Sequence, residues 1–307
     1  MSKTFDELLS QVNECPIKKL SVAVAQDKAV LEAVKMAKER KIAESILVGD
    51  EAQIREIGAS IGMNMDDYEI INVEDKTEAA TKAVSLVSEG KADMYMKGLV
   101  DTKTFLKSVL NKEVGLRTGN PLSHVCVFEI PGIDRLLFLS DVAFMPYPTL
   151  EDKQWIIKYS VEVARACGVD MPKVAPLAAV EVVNDKMPAT VEAAELTRMC
   201  EAGEIKDCIV DGPLSLDIAL YKEAAEEKGA LDRKVAGDAD ILLFPDIHAG
   251  NLVYKTMVHM VDGKNGNILT GTKAPVILTS RSDDCETKVN SIALAAVVAE
   301  KQKNMEA

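Results

Sequence analysis

From residue 20 to about residue 100 the chain repeats one pattern. A short apolar run is followed by a longer stretch in which apolar side chains recur every three or four positions. The short runs are 20–25, 45–48, 69–73 and 93–96, each the length of a strand. The stretches 28–40, 51–61 and 77–89 have helical spacing. Asp27 stands where the first of these helices needs a cap, and 5–13 predicts a short leading helix. Such alternation predicts a parallel sheet with helices on both faces. The short connections suit right-handed crossovers.

The regularity breaks after Met96. A helix is expected up to about Leu110, then a polar, glycine-containing segment over 111–121. Two apolar runs, 124–130 and 135–141, flank Pro131-Gly132-Ile133-Asp134 and predict a hairpin by turn chemistry. An antiparallel pair after parallel units marks entry into a second domain. Helix 150–167, strand 173–177, helix 189–202, strand 208–211, helix 215–227, strand 240–244 and helix 252–261 follow, then a turn over 262–266. Val276, Ile277 and Leu278 form a strand buried on both faces. From Thr287 to about Lys303, Val289, Ile292, Ala293, Ala296 and Val297 mark a long amphipathic helix. The expected architecture is a two-domain α/β fold with a cleft between the domains. The first domain spans 1–121 plus 272–307 and the second 122–271.

Charge narrows the partners. The 307 residues carry a formal net charge of −13, which argues against non-specific binding to nucleic acid or an anionic membrane. It leaves room for an anionic small molecule held by a local group of cations. No apolar run reaches the ~18 residues of a spanning helix. The first residues are polar and acidic, unlike a signal peptide. Six scattered cysteines form no C-x-x-C pair, and four of them read as core residues or inert thiols, which favours a reducing cytoplasm. Three distant histidines have no zinc spacing. Met94, Met96, Met187 and Met199 read as core.

In open α/β sheets ligands bind beyond the carboxyl ends of strands. Those positions carry Lys97-Gly98, Asp211-Gly212-Pro213-Leu214-Ser215, Asp246 with His248 and Asn251, and Ser280-Arg281-Ser282-Asp283. Arg117 and Ser123 stand in the loop before the hairpin. The last stretch opens a helix, whose free N–H groups and dipole favour an anion, and it sets a hydroxyl, a guanidinium and carboxylates there together. Each group also has a structural reading. Ser282 or Asp283 suits an N-cap, and Asp283 with Glu286 a capping box. Asp246 and Asn251 suit caps, Asp211 a turn, Arg117 a solvated loop and His248 a hydrogen-bonded loop position. The chain contains no G-x-G-x-x-G, no phosphate-binding G-x-x-x-x-G-K-[ST] and no G-x-S-x-G. The residues alone lead to a two-lobed α/β enzyme that binds an anion near Arg281.

The same strand ends resemble a known family. Lys97-Gly98-Leu99-Val100-x-Thr102, Gly115-Leu116-Arg117-Thr118-Gly119 and Leu122-Ser123-His124-Val125 resemble the phosphate acetyl/butyryltransferases. So do Lys186-Met187-Pro188-Ala189-Thr190, Val210-Asp211-Gly212-Pro213-Leu214, Pro245-Asp246-Ile247-x-Ala249-Gly250-Asn251 and Thr279-Ser280-Arg281-Ser282-Asp283. The Lys-Met-Pro-Ala-Thr and Asp-Gly-Pro-Leu stretches are closest to the butyryltransferase branch. The resemblance implies the isocitrate/isopropylmalate dehydrogenase-like fold as a homodimer or larger assembly. It implies reversible acyl transfer between butyryl-CoA and phosphate in a ternary complex. CoA is then substrate or product, with no metal and no tightly bound cofactor. Ser280, Arg281 and Asp283 take the catalytic roles, and Asp284 and Glu286 compete with Asp283 as the base. Lys97, Gly98, Arg117, Ser123, Asp246 and Asn251 bind phosphate or CoA. The alternatives are a phosphate acetyltransferase of the same family, a metal- and NAD(P)-dependent decarboxylating dehydrogenase on the same fold, and a non-catalytic CoA-binding protein.

Overall fold

The computed structural model describes residues 2–279 and 283–306. Ser280, Arg281 and Ser282 lie outside the described residues. Phe5–Asn120 and Asn265–Ala307 form one compact unit, and Met1–Thr4 with Pro121–Lys264 form the other. The former is discontinuous in sequence and is interrupted by the latter, the inserted unit.

The discontinuous unit begins with α1 (Phe5–Asn13), β1 (Lys18–Ala23), α2 (Lys28–Glu39), β2 (Ala43–Gly49), α3 (Glu51–Ser60), β3 (Glu69–Asn72), α4 (Lys76–Ser88), β4 (Met94–Lys97) and α5 (Thr102–Val109). An aspartate ends the loop before each of four helices. Asp27, Asp50, Asp75 and Asp101 accept backbone N–H bonds at the starts of α2, α3, α4 and α5. Caps of this kind are worth about 1 kcal/mol each, and they set where each helix begins. The strands pair in parallel in the order β3-β2-β1-β4. The buried Tyr95 of β4 stacks on Phe105 of α5 at 4.6 Å. Its hydroxyl donates to the Ala80 carbonyl of α4 at 3.0 Å and lies 2.8 Å from Ser108 Oγ. One side chain thus ties two helices to the strand, and burial raises its pKa.

The inserted unit holds β5 (Ser123–Glu129), β6 (Leu137–Ser140), α6 (Leu150–Ala166), β7 (Lys173–Pro176), α7 (Pro188–Glu201), β8 (Ile209–Val210), α8 (Leu216–Leu220), α9 (Lys222–Glu227), β9 (Ile241–Leu243) and α10 (Ile247–Met260). Its strands run in the order β5-β6-β9-β7-β8. The expected hairpin is β5 with β6, antiparallel with Cys126 opposite Leu139, and the other pairs are parallel. The helix expected over 215–227 is two helices, because Tyr221 takes extended backbone angles (φ −124, ψ 124). The helix expected from 252 starts at Ile247, because Asp246 caps it through the N–H groups of His248 and Ala249. Among the methionines read as core, Met94, Met96 and Met199 are buried. Met187 is half-buried and flanks the start of α7.

The chain then returns to the discontinuous unit as β10 (Lys264–Thr270), β11 (Val276–Ile277) and α11 (Cys285–Glu306). Of the turn expected over 262–266, residues 264–266 already belong to β10. The first residues of that strand, Lys264-Asn265-Gly266-Asn267, are polar, and its apolar part is only Ile268-Leu269. Pairing with β11, Leu269 opposite Val276, makes it a strand. β11 lies parallel to β4, with Val276 opposite Tyr95 and Ile277 opposite Met96. From Val289 to Ala299 α11 buries its apolar and alanine positions almost all round.

Lys18 is buried and its ammonium pairs with Glu300 of α11. The hydrogen bond from Lys18 holds the Glu300 carboxyl below the usual range, with burial working against it. A carboxylate depressed in the folded state adds stability above its unfolded pKa. That stability is lost as pH falls through the folded pKa. Glu300→Gln is therefore expected to cost about 1–3 kcal/mol near neutral pH, by leaving a buried ammonium short of its partner. The gap from the parent protein should close in acid, below the ordinary glutamate range. Urea unfolding of both proteins across that range checks it; a pH-independent gap would discard the explanation.

Among the described residues no helix is long and apolar enough to cross a membrane. All six cysteines are free thiols.

Candidate active site

In the discontinuous unit the carboxyl ends of β1, β4 and β11 lie side by side. The chain leaves β1 through α2 towards β2 on one side, and β4 lies on the other. The crevice between β1 and β4 is thus a topological switch point, where open α/β sheets bind ligands. Lys97, the last residue of β4, is buried opposite Ala23, and its Nζ is 3.4 Å from the Gly98 carbonyl. Gly98 donates its N–H to Ala23 O at 2.9 Å, and Leu99 donates to Val24 O at 2.7 Å. A Cβ on Gly98 would lie 2.3 Å from Val24 O and 2.5 Å from Ala23 O. Only glycine lets the strand end close in this way. Val24 itself has φ 57, an outlier for a β-branched residue. Such strain, about 1–3 kcal/mol, collects at functional sites. Sequence reading treated Val24 as a strand residue, and nothing in an apolar run signals its strained backbone.

On the far side of β4, Thr279 follows β11 and is buried. The assignments to Ser280 and Arg281 fall on the undescribed residues that come next. Beyond them Asp284 stands at the start of α11, and the cap reading of Ser282 lies outside the described residues. The Asp284 carboxylate accepts from Thr287 N at 2.7 Å. Glu286 forms no capping box; it takes both ends of the Arg40 guanidinium, at 2.9 and 2.5 Å. Asp283 presents its backbone carbonyl to the Lys288 ammonium. Asp284 is thus engaged at the helix start and Glu286 with Arg40.

Arg117 forms a backbone bridge to Thr272, and Thr118 Oγ1 donates to Gly271 O at 2.8 Å. The loop is pinned by this bridge and by the Thr118 hydroxyl while the Arg117 side chain is exposed.

In the inserted unit a second set gathers at the carboxyl end of β6. Ser123 is the buried first residue of β5, not a loop residue. Its Oγ is 3.1 Å from Ser140 Oγ, which also lies 3.1 Å from the His124 carbonyl. Asp141 accepts from His124 N at 3.0 Å and from Ala143 N and Phe144 N at 2.7 Å each. Asp246 caps α10, and Asn251 Nδ2 donates to Val142 O at 2.9 Å. A Cβ on Gly250 would meet Asp141 O at 2.3 Å, so glycine lets α10 touch the β6 loop. His248 lies in the first turn of α10, with Nε2 2.9 Å from Tyr147 Oη. In the sequence Asp141 is only the end of an apolar run; its role as a loop organiser follows from the antiparallel register.

At the end of β8, Asp211 is buried and Arg233 grips it through Nε at 2.8 Å and Nη2 at 2.6 Å. The same guanidinium donates to Pro213 O at 3.2 Å. Asp211 is therefore an anchor as well as a turn residue. Arg233→Ala is expected to cost roughly 2–4 kcal/mol, since it strands a buried carboxylate. Arg233→Lys should recover part of this, having the charge without the fork. Chemical denaturation of the three proteins checks this, and equal midpoints would refute it.

The arrangement offers cations and backbone donors at strand ends, suited to an anionic substrate. Among the described residues no group of three His, Cys, Asp or Glu side chains is placed to hold a metal ion. The profile of the phosphate acetyl/butaryl transferases matches residues 4–81 and 74–296. The chain belongs to this family. It is 58% identical over 303 residues to the phosphate butyryltransferase of Clostridium beijerinckii, covering 99% of this chain and 100% of that one. It is 59% identical over 299 residues to the phosphate butyryltransferase of Clostridium acetobutylicum, covering 97% and 99%. Among solved structures, a branched-chain phosphotransacylase from Enterococcus faecalis superposes with a TM-score of 0.82 at 34% identity, covering 92% of this chain and 99% of that one. Family members are acyltransferases, and the mixed α/β fold with mostly parallel strands flanked by helices is the one this family member adopts.

Proposed function

We propose that the protein is a phosphate butyryltransferase, interconverting butyryl-CoA plus phosphate with butyryl phosphate plus CoA. The observation that carries this is the end-to-end identity of 58–59% with two enzymes of that name. In this reading a phosphate oxygen attacks the thioester carbonyl carbon, a tetrahedral oxyanion forms, and the C–S bond breaks to release CoA thiolate. In reverse, the thiol loses its proton, its sulfur attacks the carbonyl carbon of the acyl phosphate, and the C–O bond breaks to release phosphate.

Arg281 holds the phosphate by a planar, permanently charged fork. Ser280 donates to the oxyanion or the CoA sulfur. Asp283 takes the thiol proton, with Asp284 and Glu286 as the competing acids. Lys97 and Arg117 bind phosphate or the CoA pyrophosphate, and Gly98 lets Lys97 reach the crevice. Ser123, Asp246 and Asn251 shape the loops that meet the substrate, a role supported by their hydrogen bonds to Ser140, the α10 N-terminus and Val142. CoA serves as a substrate with no tightly bound cofactor. We assign the chain to the isocitrate/isopropylmalate dehydrogenase-like two-domain fold, acting in the cytoplasm as a homodimer or larger assembly; the free thiols suit that compartment. The dehydrogenase and acetyltransferase alternatives are not favoured, because the two Clostridium relatives named above are phosphate butyryltransferases.

The test is CoA release from butyryl-CoA, followed with a thiol reagent, with and without phosphate and with no metal or nucleotide added. Strict phosphate dependence is the expected result. Release without phosphate would indicate a thioesterase, and no release would send the reading back to a dehydrogenase or a binding protein.

A further inference from the structure

We propose that Lys288 is a further anion-binding residue, whose buried ammonium at the head of α11 takes a phosphoryl oxygen of the substrate. This rests on the acyl-transfer reading above, and every group it uses belongs to the discontinuous unit.

A lysine is almost never fully buried unless its charge is paired. Two other lysines of this chain obey that rule. Lys18 is 3% exposed and pairs with Glu300, and Lys153 is 4% exposed and pairs with Glu192. Lys288 is as deeply buried, at 3%. Among the described residues its ammonium has the backbone carbonyl of Asp283 as acceptor and no carboxylate partner. A carbonyl carries only a partial charge and occupies one of the three ammonium donors. A buried cation left in that state is costly, and an anion brought by the substrate offsets the cost.

The charges nearby are already committed. Burial pushes up the thiol of Cys285, at the start of α11; Glu286 and Glu32 add to the rise, and Lys288 and Arg40 oppose it. Of these, Glu286 takes both ends of the Arg40 guanidinium, and Glu32 lies 3.8 Å from Lys28. Asp284 accepts from Thr287 N. Lys288 is the charge in this group without a counterpart.

Its place suits a phosphoryl group. Asp283, which it touches, is two residues along the chain from Arg281. The strand before them, β11, lies beside β4 with Ile277 opposite Met96, and Lys97 is the next residue of β4. Lys97 ends one strand, and Lys288 stands in the first turn of the helix that follows its neighbour. That helix has 22 residues, and its start adds N–H groups and the positive end of its dipole. Two buried ammoniums and a helix start make a local positive field in a chain of net charge −13.

The test uses two neutral variants. Lys288→Met keeps the length of the side chain, and Lys288→Gln also keeps a donor for the Asp283 carbonyl. Melting temperature is read with and without inorganic phosphate. Initial rates are read with phosphate and butyryl-CoA varied in turn. Phosphate is expected to raise the melting temperature of the parent by more than that of either variant. The KM for phosphate should rise about tenfold or more in both, the scale of one lost charge-assisted hydrogen bond, with kcat changed far less. A rise in the KM for butyryl-CoA instead would support the same phosphoryl contact with the CoA pyrophosphate as its source. If Lys288→Met does not fold, Lys288→Gln carries the test. Both KM values unchanged, or parent-like behaviour of Lys288→Gln, overturns the proposal and leaves Lys288 as a clamp on the main chain. A parent protein without phosphate-dependent CoA release, yet stabilised by phosphate more than its variants are, would overturn the transferase reading and leave the anion site standing.

Discussion

Arg281→Ala is expected to lower phosphate-dependent turnover of butyryl-CoA by roughly 10²-fold or more, the scale of losing one preorganised donor to a developing oxyanion. The side chain lies outside the described residues; its position in the chain and its chemistry set the expectation. It falls between Thr279, which follows β11 beside β4 and Lys97, and Asp284, which caps α11. The chain is acidic overall, at −13, so an anionic substrate depends on the few cations near it. A guanidinium cannot be deprotonated at working pH and binds two phosphate oxygens at once. Arg281→Lys keeps the charge and loses the fork, and should fall between the two. Initial rates with circular dichroism as a folding control check this. Near-normal turnover in a well-folded Arg281→Ala protein would take the residue out of the mechanism.

Gly98→Ala should be a severely damaging single methyl in the discontinuous unit. The added carbon would meet two backbone oxygens, at 2.3 and 2.5 Å. Neither oxygen is the far end of a flexible side chain. Both accept N–H bonds that join the ends of β1 and β4, so relief requires those bonds to break or Val24 to move from an already strained backbone. A cost of about 3 kcal/mol or more is expected, at the upper end of overpacking. Turnover should fall with it, since Lys97 is carried on the displaced strand end. Thermal melting and initial rates on the same preparation measure both. A variant as stable and as active as its parent would mean that the crevice is not closed as described.

Apolar periodicity located most of the chain because helices and buried strands each impose a period. It failed where partners decide. β10 begins in polar residues and becomes a strand only through pairing with β11. Tyr221 breaks a continuous helical pattern by its backbone angles. Asp246 starts α10 five residues before the expected 252, because a cap outweighs the apolar spacing. For the site, strand ends pointed to Lys97, Gly98 and Asp246. Val24, Asp141 and Arg233 were illegible, since each acts through a backbone angle or a contact distant in sequence. Asn251 was read as a cap and instead spends its side chain on Val142.

The discontinuity of one unit has a consequence during synthesis on the ribosome. β4 ends at Lys97, and the strand that covers its open flank, β11, begins at Val276. At ~5–20 residues per second, a nascent chain waits about ten to forty seconds between the two. Through that interval β4 is an uncovered sheet edge, a template for wrong pairing, while the inserted unit emerges complete. Chaperone demand and temperature-sensitive yield in this protein should therefore trace to the late arrival of its C-terminal strand and helix.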